Sequence, residues 1–228
     1  FQSLNEICTI LGKFKQLMKD YDVNDVHVLS TTAIREADNL LNVLDQIYIR
    51  TGFHVHVVRM TKEIYYKFFG LYYHILKGRF NFADKAVLLL DITSGGVGLT
   101  CWKSDTLLFQ QNVHIGSLRI LENFTEKQRQ ELTFPTAVRE YIYGPLSPLW
   151  ASVRQHNIKY IVLSGRAANL IGRLMKKKQT EGISLITPQE FRQFIYSFHG
   201  VTPYKLVQQF HLSENLANVI MPTLLLYY

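Results

Sequence analysis

The sequence predicts an α/β protein with mixed sheets. Three observations predict it. Apolar residues at helical spacing alternate along the chain with short apolar runs of strand length. One such run, residues 85–91, is apolar almost throughout, as a strand covered on both faces must be. Two further strand patterns follow it, at 97–102 and 106–113, and the three together make an antiparallel meander.

In order, Leu4, Ile7, Ile10, Leu11, Phe14, Leu17 and Met18 recur at helical spacing, so the chain opens on an amphipathic helix. Val26, Val28 and Leu29 read as a short strand. Residues 39–50 read as a second helix and 53–58 as a second strand. Thr61 is placed to cap a helix running to Leu76. After the buried strand, Gly95 and Gly96 mark a tight turn, and Lys103-Ser104-Asp105 joins the last two strands of the meander. Thr125 with Gln128, and Thr187 with Glu190 and Pro188, fit capping boxes, and Thr202-Pro203 repeats the cap-plus-proline signal. Residues 159–163 are one more strand, which runs through Ser164-Gly165 into a helix over 167–177. No repeat and no low-complexity linker interrupts this order.

The bulk numbers narrow the class. Of 228 residues, 47% are hydrophobic and 19% charged, a balance that folds rather than stays disordered. No run approaches the roughly 20 apolar residues of a membrane helix, and no basic segment followed by an apolar block opens the chain. Two cysteines, Cys8 and Cys101, do not make a disulfide framework, so a reducing cytoplasm is the expected compartment. The net charge of +7 favours a polyanionic partner. His54 and His56 have the spacing of two metal ligands on one strand face. No third ligand stands nearby in sequence, so solvated histidines are the plainer reading. Lys176-Lys177-Lys178 read as a solvated helix end, and the aromatics Tyr65, Tyr66, Phe68, Phe69, Tyr72 and Tyr73 as interdomain core.

Several residues suggest chemistry on their own terms. Asp91 ends an apolar strand, where a carboxylate must be capped, paired or bound to metal. Gly95 and Gly96 form either a plain hairpin turn or a cradle whose backbone N–H groups approach phosphate oxygens. Glu63 lies at a helix start, which favours its ionised form, and reads equally as an ordinary first-turn glutamate. Arg35 reads as a surface arginine at a helix start or, because a cation sits poorly there, as a ligand for an anion.

Taken together, six segments resemble one family. Ser30-Thr31-Thr32-Ala33-Ile34-Arg35-Glu36-Ala37-Asp38-Asn39 resembles A-T-S-A-L-R-x-A-x-N of the exopolyphosphatase and guanosine pentaphosphate phosphohydrolase (Ppx/GppA) family. Thr61-Lys62-Glu63-Ile64 stands where that family has S-G-x-E-E-A-R. Asp91-Ile92-Thr93-Ser94-Gly95-Gly96-Val97-Gly98-Leu99 resembles D-I-G-G-G-S-T-E-L. His114-Ile115-Gly116-Ser117-Leu118-Arg119 resembles P-L-G-x-x-R. Val162-Leu163-Ser164-Gly165-Arg166 stands at a G-G-T loop, and Ala217-Asn218-Val219-Ile220-Met221-Pro222 resembles R-A-D-V-I-L-P. The family's opening D-x-G-S loop and its closing strand have no counterpart, so relative to that pattern the chain reads as trimmed at both ends.

The resemblance implies an actin-like (ribonuclease H-like) two-domain architecture. Residues 1–64 would be the remnant of an incomplete first domain and 65–228 the second. It implies that Glu63 is the general base that orients water. Arg35, Ser94, Gly95, Gly96, Ser164 and Gly165 would contact phosphate, and Asp91 would hold Mg²⁺. It implies hydrolysis of the terminal phosphate of polyphosphate or of a guanosine penta- or tetraphosphate. Departures from the pattern argue for a rival: a regulatory protein that binds polyphosphate or nucleotide and has lost turnover. They are Gly98 for a carboxylate, Thr93-Ser94 for two glycines, Arg166 for glycine, and Lys62 and Tyr65 in place of Glu and Arg. An actin-like sugar or acetate kinase is a third reading, set below both. Exposed aromatics and an open sheet edge add a homodimer to the expected partners. The 228 residues alone are expected to show little turnover.

Overall fold

The computed structural model describes residues 2–73, 80, 82, 84–198 and 201–228. It is a mixed α/β structure. The chain divides into two compact units, Phe1–Tyr66 and Lys67–Tyr228, with the division inside one helix.

The first unit holds α1 (Gln2–Asp20), β1 (Val28–Ser30), α2 (Thr32–Arg35), α3 (Leu40–Thr51) and β2 (Val55–Val57), and leads into α4 (Met60–Leu71). β1 and β2 pair in parallel, with Ser30 opposite Val57. Three-residue strands are shorter than the apolar patterns around them suggested. α1 packs on α3, and Lys15 Nζ reaches the carbonyl of Thr51 at 2.8 Å. Gly52, left-handed at φ +76°, then closes α3 with its amide on the Tyr48 carbonyl at 2.7 Å. The predicted apolar face of α1 is only partly covered: Leu4, Ile7, Leu11 and Met18 are half-buried, while Ile10, Phe14 and Leu17 are each about half exposed. One neighbouring helix and two short strands offer too little surface to cover it.

α4 begins one residue earlier than its predicted cap. The Glu63 amide donates to the Arg59 carbonyl, so Thr61 is inside the first turn rather than at its cap. The predicted end at Leu76 lies outside the described residues.

The second unit is built on a four-stranded sheet in the order β5-β4-β3-β6. The strands are β3 (Ala86–Ile92), β4 (Val97–Lys103), β5 (Thr106–Val113) and β6 (Tyr160–Ser164). The meander is antiparallel, as its spacing predicted, and β6 joins β3 in parallel. Ser104 at φ +52° makes the turn between β4 and β5. β3 is apolar from Ala86 to Leu90 because it is covered on both faces. Ala86 and Leu88 join one core with Leu99, Cys101 and the helices, while Val87 and Leu89 join another with Trp102 and Phe68 of α4. Successive side chains of a strand point to opposite faces, so one strand feeds both cores.

The helices of this unit are α5 (Ser117–Glu122), α6 (Glu126–Arg129), α7 (Phe134–Leu146), α8 (Leu149–Gln155), α9 (Gly165–Leu174), α10 (Pro188–Ser197), α11 (Pro203–Phe210) and α12 (Glu214–Tyr227). Three of the four predicted threonine caps are present: Thr125 and Thr187 as full capping boxes, Thr202 as a cap on the Lys205 amide. α12 is the buried axis of the helical layer, packing on α5, α7 and α11. Of the aromatics assigned to core, only Phe68 is buried. Tyr65, Tyr66, Phe69 and Tyr73 are substantially exposed, whereas Phe68 packs on Trp102.

Candidate functional site

Two clusters carry the residues singled out by sequence. The larger stands at the end of β3. Asp91 is buried, 5% exposed, and directly opposite Gly98 on β4 and Ser164 on β6. Its carboxylate is not capped by the turn that follows. Oδ2 accepts from Lys67 Nζ at 3.0 Å and Oδ1 from the Ser164 hydroxyl at 2.9 Å. Ser164 is fixed in turn: its carbonyl accepts the Tyr227 hydroxyl of α12 at 3.1 Å. Burial first, and the Asp91 charge second, push the Tyr227 phenol well above its ordinary range. It therefore stays protonated as a donor.

The turn after Asp91 is closed by Thr93. The Thr93 amide donates to the Gly96 carbonyl at 2.9 Å, and the Gly96 amide donates to Thr93 Oγ1 at 3.0 Å. The Gly96 amide is thus spent inside the turn. Ser94, at the tip, is exposed, while Gly95 and Gly96 are buried. The start of α5 braces the turn from below. Ser117 and Leu118 amides donate to the carbonyls of Thr93 and Ser94, both at 3.2 Å, and Arg119 Nε donates to the Gly95 carbonyl at 2.9 Å. A Cβ on Gly116 would stand 2.2 Å from the Ser94 carbonyl oxygen. The residues of the His114–Arg119 motif therefore build the support of this turn. Gly165, at φ +89°, opens α9 beside Asp91, and the exposed Arg166 follows it.

The second cluster lies within the first unit. Arg35 Nη1 donates to Glu63 Oε2 at 3.1 Å and to the Val58 carbonyl at 2.7 Å, and Nη2 to Thr32 Oγ1 at 3.0 Å. The two side chains are 15% and 13% exposed. The Nε–H of Arg35 is buried, and among the described residues it has no hydrogen-bond partner. Arg35 is thus neither on the surface nor at a helix start. It sits in the last turn of α2, where a cation suits the dipole, so the dipole gives no argument for a ligand. Glu63 is in the first turn of α4, as predicted. His54 and His56 are exposed, and His54 stacks on Tyr48 at 4.2 Å, an ordinary surface arrangement. Lys177 pairs with Glu190.

The implied Mg²⁺ can be judged on the donors present. A divalent cation of this size wants near-octahedral oxygen ligands at about 2.1 Å. Asp91 already holds an ammonium on one oxygen and a hydroxyl on the other, and Gly98 opposite offers no second carboxylate. Among the described residues no group of three His, Cys, Asp or Glu gathers anywhere. This donor set does not fit Mg²⁺.

Sequence reasoning missed Lys67 and Tyr227. Tyr227 carries no local signal, because its partner is a backbone carbonyl distant in sequence. Lys67 left a faint one: a lone cation inside the aromatic run Tyr65-Tyr66-Lys67-Phe68-Phe69.

The fold and site are those of a mixed α/β protein with a buried carboxylate and a braced glycine turn at the end of an interior strand. The model of the Ppx/GppA phosphatase family matches residues 2–227, and the chain belongs to that family. Among solved structures, the Aquifex aeolicus member of the Ppx/GppA family is similar with a TM-score of 0.77 at 17% identity, covering 98% of this chain and 72% of that one. An exopolyphosphatase from Cytophaga hutchinsonii is similar with a TM-score of 0.76 at 18% identity, over 98% and 72%. At such identities the likeness is one of fold. No curated protein matches by sequence search. No helix among the described residues is long and apolar enough to cross a membrane.

Proposed function

We propose that the protein hydrolyses a phosphoanhydride, releasing the terminal phosphate of inorganic polyphosphate or of guanosine pentaphosphate. The observation that carries this reading is the Arg35–Glu63 pair. Both side chains are largely buried, both stand at positions the family motifs give to phosphate contact and to the base, and the guanidinium keeps a buried Nε–H for which the described residues offer no acceptor. Glu63, paired with Arg35 at 3.1 Å, orients water and takes its proton. Within the first unit Arg35 meets phosphate oxygens. Within the second unit the braced 93–96 turn, Ser164 and Gly165 are the candidate phosphate contacts. In this reading the architecture is actin-like with two domains, and the protein works in the cytoplasm as a homodimer. Sedimentation of the full-length protein tests the dimer.

One observation favours a second reading, a binding or regulatory protein without turnover. Both Asp91 oxygens are engaged from within the chain, and the carboxylate that the family pattern has at the facing position is Gly98. Phosphate release from long-chain polyphosphate and from guanosine pentaphosphate by the full-length protein separates the two. Hydrolysis that drops about 100-fold or more in Glu63→Gln supports the first reading. Binding of both anions with no release supports the second. Equal rates in wild type and Glu63→Gln remove Glu63 from the mechanism.

A further inference from the structure

The misfit of Asp91 to a divalent ion has a positive side. We infer that the Lys67 ammonium takes the place of a metal at this strand end, so that the protein binds phosphate anions without a divalent cation. The inference rests on the reading that the 93–96 turn receives phosphate, and it deepens that reading.

Asp91 is 7% exposed at its side chain and needs a counter-charge. Lys67 supplies one at 3.0 Å from α4, and the Ser164 hydroxyl completes the carboxylate's bonds. The site therefore has its cation built in. The Lys67 side chain is 40% exposed, so the ammonium is not sealed behind the carboxylate. An ammonium has three donors and one positive charge, enough to sit between a carboxylate and a phosphate oxygen. A magnesium ion at the same place would lie against that ammonium, and like charges at contact distance repel. Lysine and metal are alternatives here. The opposing Gly98 fits this picture, because a second carboxylate would leave a net negative strand end that one ammonium could not balance.

The test uses the full-length protein and inorganic tripolyphosphate, followed by calorimetry in excess EDTA and in excess Mg²⁺. Retention of Mn²⁺ by the protein without anion is followed separately by electron paramagnetic resonance. The expected result is tripolyphosphate binding that survives EDTA, no Mn²⁺ retention by the wild type, and a loss of about tenfold or more in anion affinity in Lys67→Met. Binding seen only with Mg²⁺, Mn²⁺ retained by the wild type, or unchanged affinity in Lys67→Met each overturns the inference and leaves the phosphate reading standing. Absence of tripolyphosphate binding under both conditions overturns both. Should Lys67→Met fail to fold with Asp91 left unpaired, Lys67→Met/Asp91→Asn removes both charges together. It is expected to fold and to lose the anion, and tight binding by it counts against the inference.

Discussion

Gly116 tolerates no side chain, and the reason is local. Its missing Cβ is the space filled by the backbone of Ser94 and Gly96. Gly116→Ala is expected to cost about 3 kcal/mol, since a backbone rather than a flexible side chain must give way. Urea unfolding measures this, and a cost under about 0.5 kcal/mol, the range of ordinary surface changes, would contradict the packing described. At Asp91 the chemistry differs. Lys67→Met strands a buried carboxylate, and the expected destabilisation is about 1–3 kcal/mol, below the figure for a fully buried pair because Lys67 is partly solvated. Asp91 itself was legible in sequence, because a charge at the end of an apolar strand always needs a partner. Which partner was not legible, since Lys67 comes from a helix and no spacing rule links it to the strand. Arg35 shows the opposite failure: its role was argued from a helix start, and the chain put it in a last turn.

At the scale of the element, local rules held where the signal was entirely local. Threonine followed three residues later by Gln or Glu marked two helix starts, and both boxes form. Thr187→Ala is expected to lose about 1 kcal/mol, read as a lowered urea midpoint. Glu190 in the same box is held down to about 2, first by the Lys177 ammonium and then by its bonds to Thr187. Its folded value lies below its unfolded one near 4.5, so its contribution is present above pH 4.5 and is lost as pH falls toward 2. The stability gap between wild type and Glu190→Gln is therefore expected to close as unfolding is followed from pH 5 to pH 2.5. A gap that stays constant would place the stabilisation elsewhere. The meander was legible because its strands alternate with turn residues. The partial cover of the α1 face was not, because helical periodicity says that a face is apolar and not what lies against it.

For the molecule as a whole, the surplus of +7 is spread over many side chains and does not by itself choose an anion. Binding through general charge and binding through the braced turn differ in how they answer salt. Affinity for any polyanion is expected to fall as salt rises from 50 to 200 mM, and a DNA oligomer of matched charge should fall at least as steeply. Polyphosphate should keep an increment over DNA at the higher salt, and should lose it in Gly116→Ala. Identical salt curves for the two anions would leave only a diffuse basic surface. The brace under the turn also settles how an occupied turn would be felt elsewhere. Thr93, Ser94 and Gly95 are each bonded to the first turn of α5, and α5 lies against α12. A shift of the turn would pull on these three bonds and so on the start of α5. A fluorophore placed on α12, out of sight of the anion, should therefore register its arrival as a lever registers a load.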